Sequence, residues 1–348
     1  MSDTSNRVFL SSSPHFTAGQ NTQQIMAAVL IALLPECIYG VMIFGLRALV
    51  TLIVSVASCV AFEALFQKIS RQKITVSNLS AAVTGVLLAL VVSSAVPAWM
   101  VVIGAFVAVV IAKGIFGGIG ANVFNPALTG RGFMVISFGA FMSTWAEPHA
   151  PDAVSSATVL SQIGAGTLSA DDFNFVQYFI GNRAGCIGET SVLLILLSFL
   201  FLLAMRIIDW RAPVAMVATV AAGTFVSALA AGRGLSGAGA DVVMALLTGG
   251  VLFGATFMVT DYATAPVTKP GRLVFGFGCG LITFLIRRFG GYPEGVMFSI
   301  LIMNTTTHFL NRLTSRKYGY GSRARHCDVP GKTVMDFDTR TAAKEEAK

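Results

Sequence analysis

Ile25-Met-Ala-Ala-Val-Leu-Ile-Ala-Leu-Leu-Pro-Glu-Cys-Ile-Tyr-Gly-Val-Met-Ile-Phe-Gly-Leu46 is the stretch whose reading decides the architecture. Only Pro35 and Glu36 interrupt an otherwise apolar run, and its length matches the ~20 residues with which an α-helix crosses a bilayer core. Comparable runs follow at about 48–66, 78–94, 97–113, 127–145, 189–208, 211–230, 241–259, 271–288 and 293–312. The whole chain agrees: 55% of its 348 residues are hydrophobic and 12% charged, with a mean hydropathy of +0.74. A soluble domain with that composition would aggregate. The expectation is an all-α polytopic membrane protein of about ten transmembrane helices without a large soluble domain. Polar Asn21-Thr-Gln-Gln24 precedes the first run where a signal peptide would carry basic residues, so that run reads as a retained helix.

Orientation follows from charge. With both termini cytoplasmic, nineteen Lys and Arg residues fall inside, nine of them from Arg312 onward, and Arg47, Arg183, Arg233, Arg287 and Arg288 fall outside. That is the positive-inside bias, with the Arg287-Arg288 pair as its exception. Topology also accounts for the formal charge of +7 without nucleic acid, because the basic residues are scattered between apolar segments. The five cysteines show no CxxC spacing, so no iron–sulfur or zinc site is written locally.

The expected organisation is a cytoplasmic segment 1–24, a first five-helix unit 25–145, an external loop 146–188, a second five-helix unit 189–312 and a cytoplasmic tail 313–348. Val83-Thr-Gly-Val-Leu-Leu88 is echoed by Leu247-Thr-Gly-Gly-Val-Leu252, and Phe116-Gly-Gly118 by Phe289-Gly-Gly291. Five helices per unit is an odd number, so two such repeats would be inverted in the membrane, with any site near their interface.

Four segments can carry chemistry. Lys113-Gly-Ile-Phe-Gly-Gly-Ile-Gly-Ala-Asn122-Val-Phe-Asn125-Pro126 follows an apolar helix and not a strand, which excludes a dinucleotide loop and implies non-helical backbone packed inside protein. If that stretch is helical, Asn122 and Asn125 share a face and offer donors and acceptors to a planar heterocycle; the alternative is that they cap the next helix. In the outer loop, Ser155-Ser156-Ala157-Thr158 offers hydroxyls with little shielding. Asp261, within Thr260-Asp-Tyr-Ala-Thr264, and Glu294, within Gly290-Gly-Tyr-Pro-Glu294, combine acids with helix breakers near a membrane boundary. Asp261 could instead cap a helix or pair with Lys269 or Arg272. Glu36 is the most deeply embedded acid, a candidate for a cation path or for a hydrogen bond at the Pro35 kink. Glu63 reads as a solvated helix end.

Taken together with Ser12-Ser-Pro-His15, these segments resemble the family that contains the Rnf complex D subunit and the B subunit of the sodium-pumping NADH:quinone oxidoreductase, from about residue 8 to 320. The resemblance implies FMN joined by a phosphoester to Thr158, the last residue of a Ser/Thr-Gly-Ala-Thr pattern in which this chain has Ser156 for the glycine. It further implies riboflavin at Asn122 and Asn125, and attachment of the FMN by a flavin transferase. Past Met303-Asn304 the family continues with a proline and an aspartate, where this chain has His308 and Asn311. The start of the first helix near residue 25, without the longer extension of the quinone-reducing relatives, favours the Rnf side. The implied function is a flavin-bearing subunit of a redox-driven ion translocase in the bacterial cytoplasmic (inner) membrane, assembled with A, B, C, E and G type subunits. It would relay electrons between ferredoxin and NAD and move Na+ or H+. Asp261, Glu294 and Glu36 are the ion-path candidates. The rivals are a component like the B subunit of the quinone reductase, a flavin-free solute channel or transporter, and a structural scaffold.

Overall fold

The computed structural model describes residues 21–148, 150–155, 175–181, 183–290 and 295–315. Thr158, Ser156, Ala157 and Glu294 lie outside them, and Ser155 closes a short strand.

Helix α1 (Thr22–Phe44) starts where the Asn21 N–H donates to the Gln24 side chain at 3.0 Å, and it carries Pro35 without ending. Gly45, at φ +68, turns the chain directly into α2 (Leu46–Ile69). There follow α3 (Ser80–Leu90), α4 (Ala98–Phe106, continued as a π-helix to Gly114) and α5 (Pro126–Ser137). The connection between the two halves opens on an antiparallel pair, β1 (Trp145–Glu147) and β2 (Ala150–Ser155), with Trp145 opposite Ser155. The second half comprises α6 (Val192–Ala204), α7 (Arg211–Ala230), α8 (Leu235–Leu247, resumed at Val251–Met258 after a 62° bend), α9 (Lys269–Phe289) and α10 (Val296–Thr314).

Among the described residues, α1, α2, α7 and α9 are long and apolar enough to cross a membrane, and the bent α8 pair makes five if it counts as one span. A polytopic membrane protein is therefore present, but five of the ten expected spans, at 78–94, 97–113, 127–145, 189–208 and 293–312, do not appear as helices both long and apolar enough to cross. Helices α3, α5 and α6 have 11, 12 and 13 residues, about 16–20 Å at 1.5 Å per residue, well short of a ~30 Å core. The chain breaks at these places although its composition stays apolar, with Val91, Val92 and Val96 all buried beyond α3. The first sequence echo also parts company with the backbone: Val83–Leu88 runs through continuous helix, whereas Leu247–Leu252 contains the α8 break, with Gly249 and Gly250 both at φ +67.

Both halves pack their second helix on their fourth, α2 on α4 and α7 on α9. Close approach depends on glycine: a Cβ on Gly276 would lie 2.2 Å from the Ala212 carbonyl oxygen, and one on Gly85 2.7 Å from the Val56 Cα. One apolar core, containing Leu33, Leu88, Ile195, Phe253 and Phe275, runs through both halves.

Every break inside a membrane frees backbone groups that no lipid can satisfy. The segment 183–191 serves two of them. Its Ile187 N–H donates to Val92 O (3.2 Å) and its Cys186 thiol to Val91 O (3.1 Å), closing the end of α3. Its Glu189 carboxyl packs on Gly250 at the α8 bend, and Arg183 donates to the Glu189 carbonyl. Arg287 serves the other side of that bend, donating to the carbonyls of Ala245 (2.8 Å), Thr248 (3.2 Å) and Gly249 (2.8 Å). This corrects the charge count: Arg287 is held by the fold and not by the membrane surface. Arg131, counted as cytoplasmic, is likewise buried, with Nη2 3.5 Å from Cys186 Sγ.

Replacing Arg287 with Met should therefore destabilise the detergent-solubilised protein by on the order of 3 kcal/mol, because buried carbonyls lose their donors. Thermal melts of the variant, against Arg288→Met as a near-neutral control, check this.

Candidate functional site

Between the halves, on the side where α1 and α5 begin, lies a cavity of about 380 Å³ whose wall is predominantly apolar and carries a few polar side chains. Three residues singled out in the sequence meet there: Asn122, Asn125 and Asp261 all line it. The backbone that brings the two asparagines together is not helical, against the shared-face expectation. Residues 115–125 form an irregular connection with Gly117, Gly118 and Gly120 at φ +113, +91 and +83. Asn125 is the N-cap of α5, accepting the Leu128 N–H at 3.3 Å, and Pro126 occupies the first helical position, where no N–H is needed. Asn122 Nδ2 donates to Phe124 O at 3.1 Å. Capping and cavity lining thus coexist, and among the described residues the amide oxygen of Asn122 and the amide nitrogen of Asn125 make no hydrogen bond.

The opposite wall belongs to the second half, with Phe257, Asp261, Tyr262 and Asn311 among its residues, and Asn304 stands behind it. Asn304 on α10, with its amide set to satisfy both neighbours, accepts the Asn125 N–H at 3.1 Å and donates to Ile300 O at 3.3 Å. Asp261 accepts from the Thr264 hydroxyl (3.0 Å) and the Ala263 N–H (3.4 Å). It pairs with neither Lys269 nor Arg272, and burial pushes its carboxyl above the usual range against those hydrogen bonds. The 260–268 segment is fastened to α10 by Asn311, which accepts the Val267 N–H at 2.9 Å, and by Thr307, whose hydroxyl donates to Thr264 O at 2.7 Å. Asn311 stands in the stretch where this chain departs from the family pattern, and a neutral carboxamide is enough for that bond.

Lys113, at the π-helical end of α4, reaches the same cavity with its charge already matched. Its Nζ lies 2.7 Å from Glu63 Oε2 and 2.6 Å from Ser80 Oγ, and Gln67 Nε2 donates to Glu63 Oε1 at 3.3 Å. Both charged side chains are 6% exposed, so Glu63 is a buried ion-pair partner and not a solvated helix end. The pair joins positions fifty residues apart, a link that no local pattern announces; the signal was a Lys ending an apolar helix directly before a glycine-rich break.

A second lobe of about 180 Å³ adjoins the first, sharing Ile207, Thr260, Asp261 and Tyr262. Tyr262 donates its hydroxyl to Ile207 O. At the lobe's rim Asp209 Oδ2 lies 2.8 Å from both Arg211 Nη1 and Arg272 Nη1. Burial opposes the charged form of Asp209, but the Arg211 N–H and the two guanidinium groups outweigh it and hold the carboxyl below the usual range.

Glu36 stands apart from this cavity, on α1, which packs against α6 and the 187–189 turn. It is 2% exposed. Among the described residues, no group of three or more His, Cys, Asp and Glu side chains is arranged to hold a metal ion.

A bundle of apolar helices, several of them broken, with a cavity between its halves defines a polytopic membrane protein. Comparison with known proteins is more specific: the chain belongs to the NQR2, RnfD, RnfE family, whose model matches residues 9–319. It is 42% identical, over 89% of its own length and 95% of the relative's, to the D subunit of the Na(+)-translocating ferredoxin:NAD(+) oxidoreductase complex of Acetobacterium woodii. It is 38% identical, over 88% and 94%, to the D subunit of the proton-translocating ferredoxin:NAD(+) oxidoreductase complex of Clostridium ljungdahlii. The D subunit of the ion-translocating oxidoreductase complex of Escherichia fergusonii is 33% identical over 89% and 98%.

Two outcomes follow from the site's electrostatics. Lys113→Ala strands a buried carboxylate and should cost about 3–5 kcal/mol, while the double replacement Lys113→Met with Glu63→Gln should melt close to wild type. The lowered Asp209 carboxyl contributes stability above its ordinary range of about pH 4, and that contribution is lost as pH falls through the lowered value. Asp209→Asn should therefore melt below wild type at neutral pH, with the gap closing on acidification past about pH 4. A gap unchanged by acid contradicts the assignment.

Proposed function

We propose that this chain is the D-type membrane component of an Rnf-type ion-translocating electron transport complex, acting between ferredoxin and NAD redox couples and working with A, B, C, E and G type subunits. It is a flavoprotein part of a redox enzyme and not an enzyme alone. The names of its relatives support the complex. The observation that carries the flavin reading is the convergence of Asn122 and Asn125 on one largely apolar cavity between the halves. A volume of about 380 Å³ suits a tricyclic heterocycle. The Asn122 amide oxygen and Asn125 amide nitrogen together match an imide-like edge that both donates and accepts.

Bound flavin supplies one-electron redox chemistry. The chain's own residues set its surroundings: Val83, Leu87 and Phe257 exclude water, the asparagines orient the ring edge, and Lys113 brings a cation already balanced by Glu63. Negative charge gained in so apolar a cavity attracts a cation strongly, and Asp261 on the opposite wall is placed to receive it. This is the physical basis for coupling electron flow to Na+ or H+ movement, with Glu36 and Glu294 as further acids on the path.

A second flavin, FMN, is carried by Thr158 through a phosphoester made by a flavin transferase, on an external loop whose base is the 183–191 segment. Both termini are cytoplasmic, and the ten helices, not all of them full spans, form two inverted five-helix halves; the matched α2–α4 and α7–α9 pairings support that arrangement.

Matured wild-type protein should fluoresce under ultraviolet light in a denaturing gel, and Thr158→Ala should be dark. Asn122→Leu should keep that band and lose about tenfold or more of the flavin released by denaturation. A dark wild-type band, with no flavin released, supports a flavin-free transporter instead.

A further inference from the structure

The Glu36 residue is 2% exposed, and neither carboxyl oxygen makes a hydrogen bond of full geometry among the described residues, the Ser198 hydroxyl being the side-chain group that reaches it. It lies fourteen residues into the 23-residue α1, about 20 Å from one end and about 12 Å from the other, which is within the bilayer core. A carboxylate left bare there costs several kcal/mol and does not persist.

Among the described residues, no protein cation compensates it. Helix α6, which faces it, carries no titratable group between Val192 and Ala204, and α3 carries none either. Helix α2 carries Arg47 and Lys68 at its two ends, with Cys59 and Glu63 between them, the latter held by Lys113, and none of these acts on Glu36 by charge. The 187–189 turn brings Glu189, with Cys186 just before it and Arg183 donating to the Glu189 carbonyl. On α1 itself the titratable neighbours are Cys37 and Tyr39.

The polar group that reaches Glu36 is the neutral hydroxyl of Ser198. Ser198 on α6 donates its hydroxyl proton to Ala32 O at 2.7 Å, one turn before Glu36, so the lone pairs of Oγ stay open. Pro35 lacks the N–H that would occupy the Ile31 carbonyl in a regular helix.

We propose that Glu36 and Ser198 form an intramembrane binding site for a monovalent cation, a proton or a sodium ion, at the α1–α6 contact and separate from the flavin cavity. This deepens the ion-coupling part of the proposed function and rests on it. Isosteric Glu36→Gln removes the charge that binds the ion while keeping the volume.

The test uses the intact complex in proteoliposomes, with sodium uptake and proton movement measured per electron transferred. Glu36→Gln should keep the covalent flavin and uncoupled electron transfer, and lose about tenfold or more of the ion moved per electron, whereas Glu36→Asp should retain a substantial part. In the wild type, inactivation by dicyclohexylcarbodiimide that NaCl prevents and KCl does not identifies sodium. Inactivation indifferent to NaCl and faster in acid identifies a proton. Wild-type ion transport by Glu36→Gln overturns the site, and so does failure of that variant to assemble, which would make Glu36 a structural contact. A wild-type complex that moves no ion refutes the ion-translocation reading itself.

Discussion

A helix that breaks inside a membrane must find protein partners for the groups it frees, and the structure turns on how that need is met at the α8 bend. There the Arg287 guanidinium spreads its donors over three carbonyls, while the 183–191 segment packs from the other side and also closes the end of α3. Lipid offers no substitute for these bonds. The breaks can therefore exist only where the two halves and the 183–191 segment meet, while the cavity lies at the other ends of α3 and of the resumed α8, beside the 115–125 and 260–268 connections.

The polar groups around that cavity are economical. Asn125 caps α5 and still faces the cavity, and the Asn304 bond to its N–H ties the capped turn to the second half. Asn311 and Thr307 fix the segment that presents Asp261. Charge entering the interior is neutralised at once, as in the Lys113–Glu63 pair, so the field in the cavity is set by few groups. Asp261 is an exception, accepting only from neutral donors. In the proposed function such an acid gives the redox state of a bound ring something to act upon.

Much of this was legible in the chain itself. The 55% apolar composition and the recurring runs announced a membrane protein, and the glycine-rich break ending in Asn122, Asn125 and Pro126 announced non-helical backbone at a site. The lengths of α3, α5 and α6 were not legible, because Val91, Val92 and Val96 are as apolar as the helix they follow. Burial in protein and burial in lipid select the same side chains. Arg287 and Arg131 read as loop charges for a related reason: hydropathy registers a charge but not the backbone carbonyls or the sulfur it reaches. The Lys113–Glu63 pair and the α10 bonds join residues far apart in sequence, and only the fold brings them together. Thr158 and Glu294 fall outside the described residues, so the FMN proposed on Thr158 rests on the family resemblance.

The central claim is that a flavin occupies the cavity between the halves. Photolabelling the native complex with azido-riboflavin and mapping the modified peptides tests it most directly. The account predicts adducts on the segments around Asn122–Asn125 and around Phe257–Val267, competed away by unlabelled riboflavin. Adducts confined to other helices, or undiminished by riboflavin, would contradict it.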